Sequence, residues 1–192
     1  MQPPNKSLQR TRLRAPLSSV GLQLLVPGTL AILMVLSPSA SQAQVSPDIR
    51  LGMYGFGPVH VGMTVAKAAS ASGWELVEEG ESPSEGCSYV VVAGDAGVRF
   101  MVEEGVVSRV DIDDSHHQTN SGIRIGNTEE HARKVYGQSA QVSPHKYLDQ
   151  GHYLTIKSRD GKYALVLETD GKRIIQIHAG RLPSAEYVEG CA

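Results

Sequence analysis

Apolar and polar residues alternate along two stretches of this chain. In Val98–Glu103, VRFMVE, every second residue is a bulky apolar one, and Tyr163–Leu167, YALVL, has the same spacing. Successive side chains of a strand point to opposite sides of a sheet, so this pattern predicts strands with one face on the core. We therefore expect Phe100 and Leu165 to be buried and the opposite face of each strand to be open.

Threonines and glycines mark where short helices should begin and end. Thr64 and Thr128 each precede a short helical run, and a threonine hydroxyl there accepts a hydrogen bond from an unpaired helix N–H. Gly73 and Gly137 follow those runs, and glycine ends helices because it adopts the left-handed conformation easily. After the second helix, three strands separated by Asp-Gly turns are predicted: Tyr153–Lys157, Lys162–Glu168 and Arg173–His178.

Two segments of the chain have similar sequences. Val59–Gly73, VHVGMTVAKAASASG, matches Ile123–Gly137, IRIGNTEEHARKVYG, in its glycines, its threonine and an alanine. Such an internal repeat predicts a duplicated structural unit. We expect an α+β fold of two tandem repeats, each a short helix followed by a three-stranded antiparallel meander, packed as one helix-on-sheet domain. The predicted organisation is a signal peptide at 1–43, a lead segment at 44–58, repeat 1 at 59–112, a linker at 113–122, repeat 2 at 123–178 and a C-terminal tail at 179–192.

The residues around the first helix also resemble a known module. Gly62-Met63-Thr64 ahead of a short helix that ends at Gly73, followed by a meander, resembles the SmpA/OmlA (BamE-like) module of bacterial envelope proteins. Two such modules in tandem resemble the beta-lactamase inhibitor protein-like repeat fold, whose repeats build one concave sheet. The second copy departs from the motif with Asn127 at the position of Met63. The resemblance implies a non-catalytic role in binding another protein, and it carries no specific partner or functional residue to this chain.

Residues 1–43 have the composition of a secretory signal peptide. A basic segment ending at Arg14 precedes the apolar stretch Val20–Leu36, and Ser41 and Ala43 offer small side chains for cleavage. A membrane anchor is the alternative, but this stretch is short for a span and contains a Pro-Gly pair. We expect cleavage just before Gln44, no stable membrane span afterwards, and a location in the periplasm or outside the cell.

Cleavage of that segment makes the chain more acidic. The full sequence has 18 basic and 20 acidic residues; four of the basic ones lie in the predicted signal peptide, which leaves 14 against 20. An acidic domain with no basic stripe is poorly suited to phosphate backbones or anionic lipid surfaces. Nucleic acid is therefore not an expected partner.

Both cysteines, Cys87 and Cys191, lie in the predicted mature chain. An even number of cysteines in an exported protein indicates a disulfide. We expect a bond between them that ties the C-terminal tail to the first repeat. Metal binding by two isolated thiols is the alternative.

The densest group of possible metal ligands is Asp113–His117, in the predicted linker. Carboxylates and imidazoles can hold a divalent cation. Adjacent histidines on an extended chain point in opposite directions, however, so we interpret the group as a solvated linker and expect neither a metal nor another cofactor. If a metal binds, the candidate ligands are Asp113, Asp114, His116 and His117, with His145, His152 or His178 completing the shell.

Surface recognition is the remaining role for this chain. The sequence has no Gly-x-Ser-x-Gly nucleophile motif, and the thiols are expected to be paired, so we expect a protein that is not an enzyme. We predict an exported, non-catalytic bacterial envelope protein that binds another envelope or extracellular protein as a scaffold or inhibitor-like module. The alternative is a small periplasmic metal-binding protein or enzyme that uses the central His/Asp cluster. The candidate partner-binding residues are Met101, Glu103, Val166, Glu168, His145 and Tyr147.

Overall fold

The computed structural model describes residues 45–80 and 84–191, so the predicted signal peptide lies outside the described residues. Within those ranges, no helix has the length and apolar character needed to cross a membrane. The helices are α1 (Val65–Ser72) and α2 (Glu129–Tyr136), with single 3-10 turns at Gly137–Ser139 and Ser184–Glu186. The strands are β1 (Arg50–Gly52), β2 (Gly55–Phe56), β3 (Val59–His60), β4 (Leu76–Glu78), β5 (Cys87–Val92), β6 (Asp95–Glu103), β7 (Val106–Ile112), β8 (Gln118–Thr119), β9 (Ala140–Pro144), β10 (His152–Lys157), β11 (Tyr163–Thr169) and β12 (Ile174–Arg181).

Eight strands form one large sheet in the order β4-β5-β6-β7-β12-β11-β10-β9, and every neighbouring pair is antiparallel. At its centre, β7 pairs with β12, which sets His178 opposite Asp111 and Gly180 opposite Arg109. A Cβ at Gly180 would lie 2.3 Å from the carbonyl oxygen of Ser108. Glycine at this position therefore allows the two central strands to approach each other closely.

The remaining strands form a small sheet in the order β3-β2-β1-β8, in which β1 and β8 run parallel. This sheet contributes Leu51 and Phe56, both fully buried, to the hydrophobic core. The ring of Phe56 lies 6.0 Å from that of Trp74 and 5.2 Å from that of His117. The small sheet therefore packs its apolar side chains into the same core as the large one.

The predicted helix boundaries are confirmed. Oγ1 of Thr64 accepts a hydrogen bond from the backbone N–H of Lys67, and Gly73 ends α1 with a φ of 71°. In α2, Thr128 caps the first turn by accepting from the N–H of His131 at 3.1 Å. These local signals therefore act as expected from their chemistry.

Both faces of the large sheet are covered near its centre. Phe100 and Leu165 lie in the main hydrophobic core, as predicted. On the opposite face, Ala164 and Val166 pack with Ala185 in a second, smaller cluster. The face that we expected to be open is therefore partly closed by residues from the C-terminus.

The expected α+β fold of two tandem helix-and-meander repeats is wrong. The described chain is mostly β, with sheets of four and eight strands, while the two helices have only 8 residues each. The edge strands β4 and β9 were not expected, and parts of the predicted lead segment and linker form the small sheet. At the centre of the large sheet, β7 pairs with β12 and so joins its two halves.

Candidate functional site

A group of ionisable side chains lies on the face of the large sheet opposite the main core, where β7, β12 and β11 run side by side. Arg109 and Asp111 alternate along β7 with core residues. The pairing sets His178 of β12 opposite Asp111, and Glu168 of β11 lies one diagonal position from His178. The strand register thus brings together what we call the ionic cluster: Arg109, Asp111, Glu168 and His178.

Residues 182–191, which we call the C-terminal segment, fold back over the ionic cluster. Nη1 of Arg109 donates hydrogen bonds to the backbone carbonyls of Tyr187, at 2.5 Å, and Ser184, at 3.4 Å. Ala185 is fully buried and packs against Val166. The Arg109 guanidinium therefore binds the backbone of the C-terminal segment, and Ala185 packs that segment against the sheet.

The predicted disulfide between Cys87 and Cys191 is confirmed. It joins the start of β5 to the C-terminal segment, with the two Cα atoms 5.5 Å apart and 104 positions between the cysteines in sequence. The tail is therefore tied to the sheet as expected, and it lies on the face that we expected to be free.

The distances between charged and polar atoms in the ionic cluster differ widely, from a close ion pair to separations too long for a hydrogen bond. Nε of Arg109 lies 2.5 Å from Oδ1 of Asp111, a close ion pair. Nε2 of His145 lies 3.1 Å from Oε2 of Glu168. Nδ1 of His178 lies 3.6 Å from Oε1 of Glu168 and 4.0 Å from Oδ1 of Asp111, and both separations are too long for a hydrogen bond. The imidazole at the centre of the cluster is therefore bonded to neither carboxylate.

Burial changes the ionisation of these groups. It raises the pKa of Asp111, although the charge of Arg109 opposes this rise. It also raises the pKa of Glu168 above its ordinary value. For His178, burial and then the nearby Arg109 charge lower the pKa well below the ordinary value. The imidazole is therefore neutral at neutral pH, and one of its nitrogens is a hydrogen-bond acceptor.

Three polar atoms of the ionic cluster have no hydrogen-bond partner among residues 45–80 and 84–191: Asp111 Oδ2, Glu168 Oε1 and His178 Nδ1. The residues Glu168 and His178 are only 6% and 1% exposed, so bulk solvent does not satisfy these atoms freely. Buried polar groups in folded proteins nearly always have a partner. These three atoms are therefore exceptions to that rule within the described chain.

A cavity of about 150 Å³ lies between the C-terminal segment and β9–β12. Two of the three unpartnered residues, Glu168 and His178, belong to its lining. The other lining residues are Ser143, Tyr153, Thr155, Val166, Glu186, Tyr187 and Val188. The cavity thus combines aromatic and aliphatic walls with the side chains of Glu168 and His178.

The loop that follows β9 lies beside this cavity. The ring of His145 stacks on Tyr153, with centroids 4.6 Å apart and planes inclined by 15°. Nζ of Lys146 lies 3.0 Å from a carboxylate oxygen of Glu189, and the hydroxyl of Tyr147 donates to the same carboxylate. The loop is therefore attached to the C-terminal segment at one end of the cavity.

The structure places the six predicted partner-binding residues differently from one another. Met101 and Val166 are buried, at 0% and 3% exposure, so the expectation that their face is open is wrong. Glu103 is partly buried and accepts a hydrogen bond from the hydroxyl of Ser184. The C-terminal segment covers two of these residues, since Ala185 packs on Val166 and Ser184 bonds to Glu103. Glu168 and His145 contact each other at the cavity, and Tyr147 is exposed.

The predicted metal ligands are also separated. Asp114 and His117 approach Asp95 of β6, and one donor atom from each of the three lies within 4.8 Å of the others. Asp113 instead pairs with Arg99, at 2.5 Å, which removes it from that group. The side chain of His116 is 80% exposed and lies 3.2 Å from Asp114, while His145, His152 and His178 contact carboxylates elsewhere.

Sequence reasoning missed Arg109, Asp111 and Asp95. The first two occupy alternate positions in the strand VVSRVDI, and the usual interpretation of that pattern is a strand with one solvated face. The sequence pattern alone does not show that Arg109 and Asp111 are buried. Their burial could be predicted only if the position of the C-terminal segment over this face were known. Asp95 lies in a turn sequence, and its contact with His117 depends on tertiary structure.

Comparison with known proteins gave no family. No protein-family model matches the chain, and no curated protein matches it. The uncharacterized protein YfeY from Escherichia coli is similar in structure, with a TM-score of 0.47 and 12% identity over 69% of this chain and 99% of that chain. An extracellular protein containing a SCP domain from Bacillus anthracis has a TM-score of 0.42 and 15% identity over 75% of this chain, which spans 49% of that protein. Both TM-scores are below 0.5, so these similarities carry no functional argument.

Proposed function

We propose that this protein is an exported, non-catalytic envelope protein that binds another envelope or extracellular protein. The binding surface, which we call the rim surface, consists of the loop 145–148, the outer side of residues 186–190 and the edge strand β9. The observation that carries the proposal is the group of exposed apolar and aromatic side chains there: Tyr147, Leu148 and Tyr187.

Aromatic residues of this kind are typical of protein interfaces. Tyr147 and Tyr187 are 59% and 38% exposed, and tyrosine supplies a large contact area with few rotatable bonds. The strand β9 is at the edge of the large sheet and pairs with β10 on one side only within the described chain. An edge strand offers backbone donors and acceptors to an incoming chain. Both features support recognition of a protein rather than of a flat mineral or lipid surface.

The proposed location rests on the disulfide and on the sequence of the first 43 residues. A disulfide between Cys87 and Cys191 persists in an oxidising compartment and is rare in a reducing cytosol. It also occupies both thiols of the chain, which leaves no free cysteine as a nucleophile among residues 45–80 and 84–191. Together with the signal-peptide pattern, this bond supports the periplasm or the cell exterior.

Site-specific photo-crosslinking in the envelope of the native host tests the proposal. A photoreactive residue at Tyr147 should crosslink to one defined protein. The same residue at Tyr54, which is 54% exposed but lies away from the rim surface, is the matched control and should not. The product should also disappear when Tyr187→Ala is added. Identical crosslinks from both positions, or none from Tyr147, would contradict the proposed surface.

Metal binding at Asp95, Asp114 and His117 is a second candidate function, favoured by the 4.8 Å grouping of their donor atoms. Two carboxylates and an imidazole are suitable donors for zinc. Calorimetric titration with Zn²⁺ should show one site per chain that is lost in Asp95→Asn. His131→Ala, which removes an exposed histidine elsewhere, is the control for adventitious binding and should leave the site intact. Equal losses in both variants would exclude this group as the site.

A further inference from the structure

We propose that a groove between strands β1–β3 and the turn after β10 binds a small organic dianion. Two carboxylates or one phosphate ester would supply its charge. The groove, which we call the basic groove, is lined by residues from 48–60 and 157–159 and by Asn120. It shares no lining residue with the rim surface, so binding of a dianion here goes beyond the proposed function and does not depend on it.

The basic groove gives a solute both room and access. Its volume is about 730 Å³, within the range of about 300–1,000 Å³ that is usual for small-molecule sites. Among its lining residues, Tyr54, Asn120 and Arg159 are exposed to solvent. A ligand therefore reaches these side chains without any rearrangement of the hydrophobic core.

The charged residues of the basic groove are mostly cationic. Arg50, Lys157 and Arg159 line it, together with a single acidic residue, Asp48. This sign is opposite to that of the predicted mature chain, which has 14 basic and 20 acidic residues. A cleft lined mainly by one sign of charge raises the local concentration of the oppositely charged solute. The groove therefore favours an anion, and the acidic chain around it favours a small anion over a long polyanion.

Two of these cations are available to a ligand. Nζ of Lys157 lies 2.9 Å from Oε1 of Glu186, so its charge is already partly compensated. Arg50 and Arg159 take part in none of the ion pairs among residues 45–80 and 84–191; the arginines that do are Arg99, Arg109, Arg133 and Arg181. A guanidinium is always charged and can bind a carboxylate or a phosphate through two parallel N–H bonds. Two available guanidinium groups therefore favour a ligand with two negative charges.

Aromatic surface in the basic groove favours an organic ligand over an inorganic ion. Tyr54 is 54% exposed, and its ring makes an edge-to-face contact with Tyr163, with centroids 4.9 Å apart. Met53, which also lines the groove, is partly buried. A ring or a methylene chain attached to the acidic groups would cover this apolar surface, which is favourable.

Calorimetry on the oxidised protein tests the proposal with two organic dianions, isophthalate and phenyl phosphate, at about pH 7.5, where a phosphate monoester is mostly doubly charged. Isophthalamide, a neutral molecule of the same shape as isophthalate, is the control. At least one dianion should bind saturably at one site, and the diamide should not bind. The dianion that binds more tightly identifies the acidic group as carboxylate or phosphate. Binding of neither dianion, or equal binding of the diamide, would overturn the proposal.

Inorganic phosphate tests the contribution of the apolar surface. It carries a charge similar to that of phenyl phosphate but has no ring to cover Tyr54, so it should bind several-fold more weakly. Equally tight binding of inorganic phosphate would overturn the assignment to an organic ligand.

Variants locate the site. Arg50→Gln and Arg159→Gln each remove one of the two available charges, so each should weaken binding of the dianion roughly tenfold or more. Lys134→Gln, which removes an exposed charge on α2, changes the net charge equally and should bind like the wild type. Equal losses in all three variants would indicate a general effect of charge and would contradict the assigned site.

NMR adds a measurement on the wild type. The Nε–Hε resonances of Arg50 and Arg159 should shift with dianion concentration, whereas that of Arg133, which is paired with Glu129, should not. Uniform shifts of all three arginines would indicate nonspecific binding of anions and would overturn the proposal. Thermal unfolding checks that each variant is folded; if Arg50→Gln is not, Arg159→Gln, in the exposed turn after β10, still decides the question. Dianion binding would stand even if crosslinking at Tyr147 found no protein partner.

Discussion

Asp111 and His178 lie directly opposite each other on the two central strands of the large sheet, with Oδ1 and Nδ1 4.0 Å apart. This distance excludes a direct hydrogen bond between them. The carboxylate is bonded to Arg109 instead, and the imidazole is left with an open nitrogen. Arg109 therefore compensates the charge of the buried carboxylate, and the imidazole of His178 makes no hydrogen bond to it.

Removal of Arg109 should be strongly destabilising. Arg109→Ala leaves Asp111 buried without its counter-charge and removes the hydrogen bonds to the C-terminal segment. We expect the free energy of unfolding, measured with urea at neutral pH, to fall by about 3–5 kcal/mol. Lys157→Ala, which breaks the partly exposed ion pair with Glu186, should cost about 1 kcal/mol or less. If Asp111→Asn added to Arg109→Ala recovers no stability, the buried charge is not the cause.

The isoleucines of β12 provide a matched test of its register, because the pairing with β11 shifts between Gln176 and Ile174 and leaves Ile175 exposed although it lies two residues from the buried Ile177. Ile177 is fully buried and Ile175 is 41% exposed. Because truncation of a buried side chain loses its transfer free energy and leaves a cavity, Ile177→Ala should lower the free energy of unfolding by about 2–5 kcal/mol. Ile175→Ala should change it by less than about 1 kcal/mol. Similar losses from both variants would contradict the assigned register of β12.

Loss of the disulfide should destabilise the fold and open the cavity. The double variant Cys87→Ser with Cys191→Ser removes a crosslink that spans 104 positions. We expect a loss of about 2–5 kcal/mol in the free energy of unfolding. Reductant should reduce the stability of the wild type and leave the double variant unchanged. Faster hydrogen exchange at Arg109 and Asp111 in the double variant would show that the C-terminal segment protects them.

The ionisation of His178 should make the protein less stable in mild acid. Its pKa in the folded state is lowered from the ordinary value of 6.5, mainly by burial. The unfolded chain therefore binds more protons than the folded one between those two pKa values. The contribution of this residue is fully present above pH 6.5 and is lost as the pH falls through the folded-state pKa.

Urea unfolding at a series of pH values checks this prediction. The decrease in stability below pH 6.5 should be smaller in His178→Gln than in the wild type, whereas His131→Gln, on the surface, should follow the wild type. An NMR titration should show that the His178 imidazole stays neutral to well below pH 6.5. Protonation of His178 near pH 6.5 would refute the prediction.

Features that depend on neighbouring residues could be predicted from the sequence. The caps at Thr64 and Thr128 work because each hydroxyl reaches an amide three residues ahead. The predicted strand Tyr153–Lys157 differs from the observed β10, His152–Lys157, by one residue. The disulfide joins residues 104 positions apart, but it could be predicted because the sequence contains only two cysteines. The signal peptide, the protein partner and the resemblance to the BamE-like module stay predictions.

Features that depend on pairing across the chain could not be predicted in the same way. The fold class was wrong because strands outside the predicted meanders, such as β1 and the distant β8, pair with each other and make the described chain mostly β. The same alternation that correctly placed Phe100 in the core left the opposite side chain, Met101, assigned to a free surface. Burial on that face depends in part on the C-terminal segment, which packs on Val166 and Arg109, and no local sequence pattern predicts that packing.

The position of the C-terminal segment has a consequence for biogenesis. Every strand of both sheets precedes residue 182 in the sequence, so a chain that crosses a membrane with its N-terminus leading delivers all of its strands before the segment that covers the charged face. Under the proposed export, Cys87 would reach the oxidising compartment long before Cys191, and until then it would be an unpaired thiol. Until Cys191 arrives, an enzyme that oxidises cysteines would find only one thiol on this chain. Once Cys191 arrives, the Cys87–Cys191 bond is the only disulfide that can form within the chain.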